Sequence, residues 1–199
     1  MMNVFLNALF VENLALAFFL GICTMLGGSR RVSTAVGLGA AIVVVMTVTV
    51  PLNHLVFRFL LAPGAWSWAG MADLDLSHLS LICFIGLIAA TVQILEMVLD
   101  RYFSSLAKAL GVFLPLITVN CAILGGSLFM VNRNYSLAES SVFALGSGLG
   151  WWLAVVGLAA IREKIEPEEC GVADSGSRVF VAIGIMSTAY MAFSGVRLP

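Results

Sequence analysis

The hydrophobic positions of this chain fall in long blocks separated by short polar connections. Each block is bounded by charged or polar residues, and the six blocks cover about 4–28, 34–57, 78–99, 109–131, 137–161 and 179–196. A helix rises 1.5 Å per residue, so about 20 apolar residues cross a hydrocarbon core of roughly 30 Å. Because backbone groups cannot stay unpaired in lipid, the pattern predicts an all-α integral membrane protein with six transmembrane helices.

The composition supports a membrane location and excludes several soluble classes. Apolar residues make up 61% of the 199 residues, and only 10 Lys+Arg and 11 Asp+Glu are present. The net charge of −1 offers no basic face to a nucleic acid. The four cysteines form no CxxC pair, which argues against a zinc ribbon or a dithiol redox motif. The composition therefore indicates a chain that is in contact with membrane lipid.

The positive charges predict an orientation, because Lys and Arg concentrate on the cytoplasmic side of a membrane protein. Connections one–two, three–four and five–six hold seven of them, whereas the other side of the membrane receives three. We therefore expect both termini on the periplasmic side of a bacterial inner membrane. The seven are Arg30, Arg31, Arg101, Lys108, Arg162, Lys164 and Arg178, and the three are Arg58, Arg133 and Arg197.

A short duplication divides the chain into two halves. The pattern CxxLGG occurs at 23–28 and again at 121–126, an offset of 98 residues. Three spans per half is an odd number, which predicts two inverted repeats, about 1–103 and 104–199, within a single membrane domain 1–199. The paired glycines in spans one and four predict that these two helices are broken or re-entrant at the Gly-Gly positions.

The duplicated cysteines are the candidate site. An isolated buried cysteine is most simply a small hydrophobic residue, but Cys23 and Cys121 occupy equivalent positions and would meet only near the midplane. Thiolate sulfur suits iron–sulfur clusters, copper(I) or zinc. A [2Fe–2S] cluster takes four thiolates, and Cys83 and Cys170 are expected away from the midplane. The remaining ligands would then come from another protein chain, which predicts an obligate complex.

Intramembrane acidic residues are the second group of candidates, because an ionisable side chain in lipid is a functional candidate by default. Glu12 lies within the first span, Glu96 near the end of the third, and Glu139 at the start of the fifth. Glu12 and Glu96 are therefore candidates for an ion path, and we expect Glu139 to lie at the membrane interface. The run GSGLG at 146–150 enters an apolar span without a preceding strand, so it predicts close helix packing rather than a nucleotide loop.

Several longer runs resemble the NqrDE/RnfAE family of membrane subunits, and among them the E-type subunits of sodium-translocating NADH:quinone oxidoreductases. The similarity extends over nearly the whole chain and departs from the family pattern near 62–77 and 165–177. The runs are FVENLALAFFLGICT at 10–24, QILEMVLDR at 93–101, GVFLPLITVNCA at 111–122, GSGLGW at 146–151 and IREK at 161–164.

This resemblance implies a membrane component of an NADH:quinone reductase that translocates Na⁺. It implies that Cys23 and Cys121 bind a [2Fe–2S] cluster jointly with two cysteines of the D-type sibling subunit, within a complex of six different chains. NAD, flavins and ubiquinone would be bound by other members of the complex, and this chain would relay electrons without a catalytic residue of its own. The alternatives are the A-type subunit of the Rnf electron-transport complex and a redox-silent transporter built from inverted repeats.

Overall fold

The structure is a computed structural model that describes residues 1–62, 77–102, 114–165 and 172–194. These parts of the chain contain only helices, turns and loops. Two helices continue into wide π turns, α1 into Asn7–Val11 and α3 into Phe57–Leu61, and a 3₁₀ turn, Ser77–Leu79, precedes α4. The helices are α1 Met2–Leu6, α2 Ile22–Gly28, α3 Val32–Val56, α4 Ser80–Tyr102, α5 Leu114–Thr118, α6 Cys121–Asn132, α7 Leu137–Ile165 and α8 Val172–Ser194.

The helices correspond to the six apolar segments, and the predicted all-helical class is confirmed for the described residues. Segment one comprises α1 and α2, segment four comprises α5 and α6, and α3, α4, α7 and α8 are segments two, three, five and six. Three continuous helices have the length and hydropathy to cross a membrane, Val32–Leu61, Ser80–Tyr102 and Leu137–Lys164. Met2–Val11, Cys121–Asn132 and Gly176–Ala192 are shorter apolar helices.

Segments one and four are interrupted, but the interruptions do not lie at the paired glycines. The chain leaves helical geometry over 12–21 and again over 119–120, immediately before each cysteine helix. The prediction that the Gly-Gly pairs break the helices is wrong, since 27–28 and 125–126 lie inside α2 and α6. These glycines allow close packing instead: a Cβ on Gly125 would lie 2.5 Å from a Leu20 methyl carbon, and one on Gly126 2.8 Å from the Met46 methyl carbon.

Equivalent helices from the two halves form the centre of the bundle. The most extensive pairing joins α3 to α7. Segment one packs against segment five, and segment four packs against segment two. Segment six contacts segment one, and segment three contacts segment four. Exchanging segments one, two and three with segments four, five and six maps the central pairing of segments two and five onto itself. It converts each of the other pairings into one that is also present.

The run GSGLG at 146–150 lies in α7 and allows two neighbours to approach its backbone, which confirms the packing prediction. A Cβ on Gly146 would lie 2.8 Å from the Phe5 carbonyl oxygen, and one on Gly150 2.7 Å from the Leu9 carbonyl oxygen. Gly148 lies on the opposite face of α7, where a Cβ would lie 3.2 Å from the Val43 Cα in α3. Any side chain at these positions would separate α7 from segment one or from α3.

Charged side chains connect the loops at one end of the bundle and line a cleft at the other. At one end Arg162 donates hydrogen bonds of 2.9 Å to the Leu26 carbonyl and to the Ser29 hydroxyl. Glu163 accepts from the Val32 backbone N–H, which is 2.8 Å away, at the start of α3. At the other end, a cleft of about 340 Å³ is lined by Arg58 together with residues that follow α6. Connections one–two and five–six, both rich in positive charge, therefore share one end.

Candidate functional site

The two predicted ligands both lie in the first turn of a helix that follows an interruption. Cys23 is the second residue of α2, and Cys121 is the first residue of α6. Both thiols are exposed on the surface of this chain. The duplicated sequence therefore produces the same local structure twice, a cysteine at the point where the helix resumes.

A direct hydrogen bond links the two halves at these cysteines. The backbone N–H of Gly21, two residues before Cys23, donates to the Sγ of Cys121 over 2.8 Å. This contact joins residues 100 positions apart in sequence. The residue that precedes α2 and the first residue of α6 thus meet at the Cys121 sulfur.

Gly21 occupies a position that no other residue type fits. Its φ of 81° is left-handed, a conformation that glycine adopts readily and that costs other residues about 1–2 kcal/mol. A Cβ there would lie 2.6 Å from the Trp151 indole nitrogen and 2.7 Å from the Asn120 Oδ1. Glycine thus permits both the turn into α2 and the close approach of its N–H to Cys121.

The non-helical stretch 12–21 is fixed by side chains from elsewhere in the chain and by one of its own. Asn13 is fully buried, donates to the Gly150 carbonyl over 2.7 Å and accepts from the backbone N–H groups of Ala15 and Leu16. Trp151 donates to the Leu20 carbonyl over 3.3 Å, and Ser187 donates to the Leu16 carbonyl over 2.6 Å. These bonds replace part of the hydrogen bonding that the missing helical turns would have supplied.

The same contacts give the position of the site along α7. Trp151 is midway along α7, which spans Leu137–Ile165 and is long enough to cross a bilayer. Because Gly21 lies against Trp151 and binds Cys121, the Cys121 sulfur lies at the level of the centre of this helix.

Asn120 forms the boundary of the second interruption. It is the N-cap of α6, and its Oδ1 accepts from the Ala122 backbone N–H over 2.9 Å. The residue is 3% exposed, and its Nδ2 has no hydrogen-bond partner within the described chain. A buried amide donor next to Cys121 therefore remains available to an additional group.

The donor set fits half of the ligands of an iron–sulfur cluster. Two exposed thiols could be presented to a partner, and one of them already accepts an N–H bond of the kind that stabilises cluster sulfur. In the described residues no three His, Cys, Asp or Glu side chains converge on a point. Cys83 lies in α4, and Cys170 lies outside the described residues. The chain could therefore supply two thiolates here.

The acidic candidates differ in their partners. Glu12 follows the π turn of segment one and forms an ion pair with Arg133, which also lies over the Phe129 ring at 5.5 Å. This pair raises the pKa of Arg133, mainly through the hydrogen bond from its guanidinium to Glu12. Glu96 is half-buried in α4. Glu139 accepts from the N–H and the hydroxyl of Ser136 and so helps to cap the start of α7.

Comparison with known proteins identifies the family of the chain. A family model described as "Rnf-Nqr subunit, membrane protein" matches residues 1–197. The chain belongs to the Rnf-Nqr family. It is 56% identical over 197 residues, 98% of each chain, to a protein of Pseudomonas paraeruginosa named as the E-type subunit of Na(+)-translocating NADH-quinone reductase. Proteins of the same name from Psychrobacter cryohalolentis and Stutzerimonas stutzeri are also 56% identical, again over 98% of each chain.

Membership of the Rnf-Nqr family confirms the resemblance seen in the sequence, and the names of these relatives favour the quinone-reductase branch over the Rnf complex. The sequence interpretation did not identify Gly21, Asn13, Trp151 or Ser187 as parts of the site. The sequence does contain a signal for Asn13, since a polar asparagine within an apolar run is unusual. The contacts of Ser187 and Trp151 join residues 171 and 131 positions apart, and no local pattern indicates them.

Proposed function

We propose that this Rnf-Nqr protein is a membrane component of a Na⁺-translocating NADH–quinone reductase and that it relays electrons inside the membrane. Cys23 and Cys121 would bind a [2Fe–2S] cluster together with two cysteines of the D-type sibling subunit in a complex of six different chains. NAD, flavins and quinone would be bound by other members of the complex. The cluster, when bound, supplies a one-electron carrier, and this chain supplies two thiolates, N–H donors and a site away from water.

The observation that carries this proposal is the 2.8 Å hydrogen bond from the Gly21 N–H to the Cys121 sulfur. It brings the helix starts that bear the two cysteines together, at the level of the centre of α7. A pair of cysteines that served only as small core residues would be buried, whereas both of these thiols are exposed. A cluster that is shared with a partner chain requires both thiols to be exposed on the surface of this chain.

We also propose that the two halves, about 1–103 and 104–199, are inverted repeats within one domain of six spans. The reciprocal pairing of segments supports this arrangement, because exchange of the halves preserves the pattern of contacts. The hydrogen bonds from Arg162 to Leu26 and Ser29, next to Arg30 and Arg31, support the predicted orientation. Both termini would then be periplasmic, in the bacterial inner membrane.

For Na⁺ movement we propose Glu96 and Glu12 as candidates on an ion path. Glu96 is a half-buried carboxylate in a helix of spanning length. Glu12 would first have to separate from Arg133, since the two form an ion pair. A Glu96→Gln variant should retain the cluster signal and lose Na⁺ transport into vesicles, and normal transport would remove Glu96 from the path.

The decisive experiment is electron paramagnetic resonance of the reduced, purified complex. We expect a [2Fe–2S] signal in the parent complex that disappears in Cys23→Ser and in Cys121→Ser, together with electron transfer from NADH to quinone. The matched control is Cys83→Ser, which removes an exposed thiol on α4 and should retain both. A signal that persists in both ligand variants would contradict the proposal and favour a redox-silent transporter.

A further inference from the structure

We infer that Asn120 is a positioning residue whose side-chain amide donates a hydrogen bond to a sulfur atom of the group bound at Cys23 and Cys121. This inference rests on the proposed function, because it concerns the cluster assigned there. It adds a determinant of the reduction potential, supplied by a residue that is not a ligand.

The orientation of the Asn120 amide is fixed by its own helix. The Oδ1 accepts the Ala122 backbone N–H over 2.9 Å as the N-cap of α6. The Nδ2 therefore points away from that N–H, with both of its hydrogens unused by the described chain. Since buried donors are nearly always paired, this one calls for an acceptor that the described part of the chain does not provide.

The Asn120 amide lies beside the cysteine site. Gly21 lies against both groups: its N–H donates to the Cys121 sulfur, and a Cβ on Gly21 would lie 2.7 Å from the Asn120 Oδ1. Asn120 is also adjacent to Cys121 in the chain. The unused donor, the backbone donor of Gly21 and the Cys121 sulfur thus form one small cluster, the amide site, at the start of α6.

The electrostatics give the amide a role in electron transfer. A cluster with four thiolate ligands is anionic, and segment one and the described part of segment four have no Lys or Arg before their cysteines. One-electron reduction converts an iron(III) to iron(II), breaks no bond and increases the negative charge on the sulfur atoms. An N–H donor stabilises that charge more in the reduced state and so raises the reduction potential. Other carriers of the complex supply and remove the electron.

The first test is a redox titration of purified complex carrying Asn120→Ser, followed by electron paramagnetic resonance. Serine retains an N-cap acceptor for Ala122 and removes the amide. We expect the cluster signal to remain and the ratio of reduced to oxidised cluster at a fixed potential to fall about tenfold, a shift of about 59 mV for one electron. An unchanged ratio would overturn the inference and leave the proposed function intact.

The matched control is Asn53→Ser. Asn53 is also fully buried, and its amide donates to Ser127 in the same helix α6, beyond the first turn that bears Cys121. This variant changes packing on α6 without touching the amide site, so the ratio should equal that of the parent. An equal shift in Asn53→Ser and Asn120→Ser would overturn the inference, because the effect would then arise from helix packing.

A second measurement needs no variant of Asn120. In parent complex labelled with ¹⁵N only at asparagine side-chain amides, pulsed electron paramagnetic resonance should detect a ¹⁵N coupling to the reduced cluster. Absence of this coupling would overturn the inference even if Asn120→Ser fails to assemble. Absence of the cluster signal from the parent would instead contradict the proposed function, so the two failures are distinguishable.

Discussion

The interruptions in segments one and four end at the same point but differ in how they are built. In segment one, ten residues from Glu12 to Gly21 separate the helical turns, and the stretch is held by Asn13, Trp151 and Ser187. In segment four only Val119 and Asn120 separate α5 from α6, and the described side-chain support is the Asn120 cap.

The difference shows which part of the repeat the site requires. Each interruption is followed by a helix that has a cysteine in its first turn, and both of these helices contain Gly-Gly. The non-helical stretch before the cysteine helix is long in segment one and short in segment four. The position of the helix start is therefore common to both halves, while the path of the chain toward it differs. We expect substitutions in the long stretch to have the larger effects.

The largest effect is expected for Gly21→Ala. The left-handed φ and the contacts of a new Cβ with Trp151 and Asn120 should together lower the free energy of unfolding by about 4 kcal/mol. The measurement is thermal unfolding of the purified complex in mild detergent. Gly184→Ala is the control, because a Cβ there meets no atom within 4 Å and a helical alanine should be neutral or stabilising. Equal unfolding temperatures for Gly21→Ala and Gly184→Ala would refute the claim that position 21 requires glycine.

Asn13→Ala should be the next most damaging change, and it compares the two interruptions directly. It removes three hydrogen bonds in a fully buried region, which should cost about 3 kcal/mol. Asn120→Ala removes one capping bond and should cost about 1 kcal/mol. Denaturant titrations of both variants would measure the difference. If Asn120→Ala proved equally destabilising, the short interruption would depend on side-chain support as much as the long one.

Ser187→Ala should have the smallest effect of the three. It removes one buried hydrogen bond of 2.6 Å to the Leu16 carbonyl, worth about 1 kcal/mol. The adjacent Thr188 is the control, since its exposed hydroxyl bonds to Ile185 within its own helix and Thr188→Ala should be neutral. Hydrogen exchange at 14–20 should increase in the Ser187 variant alone. Unchanged exchange there would show that α8 does not support this stretch.

The sequence was sufficient to predict the helical class, the six apolar segments and the equivalence of Cys23 and Cys121, because hydropathy blocks and a repeated pattern are local signals. It did not predict where the helices break. The Gly-Gly pairs, although flexible, are used for close packing, and the break in segment one depends on Asn13 reaching Gly150, 137 positions away. Such contacts arise only once the helices have packed.

The two ends of the bundle show the same limit. Charge counts grouped Arg30, Arg31 and Arg162 on one side, and the bonds from Arg162 to Leu26 and Ser29 agree with that grouping. The pairing of Glu12 with Arg133 was not predicted, because nothing in the sequence relates positions 121 residues apart. Glu12 had appeared to be an isolated intramembrane acid for this reason.

The central claim is that one cysteine from each half faces a common site, and thiol bridging tests it most directly. After removal of iron from the purified complex, dibromobimane, which fluoresces once it bridges two neighbouring thiols, should label this chain between Cys23 and Cys121. After digestion, mass spectrometry should find the peptides of Cys23 and Cys121 joined by the reagent in the parent and in Cys83→Ser, and this joined pair should be absent from either single ligand variant. Complete alkylation of both thiols without a bridge would contradict the account.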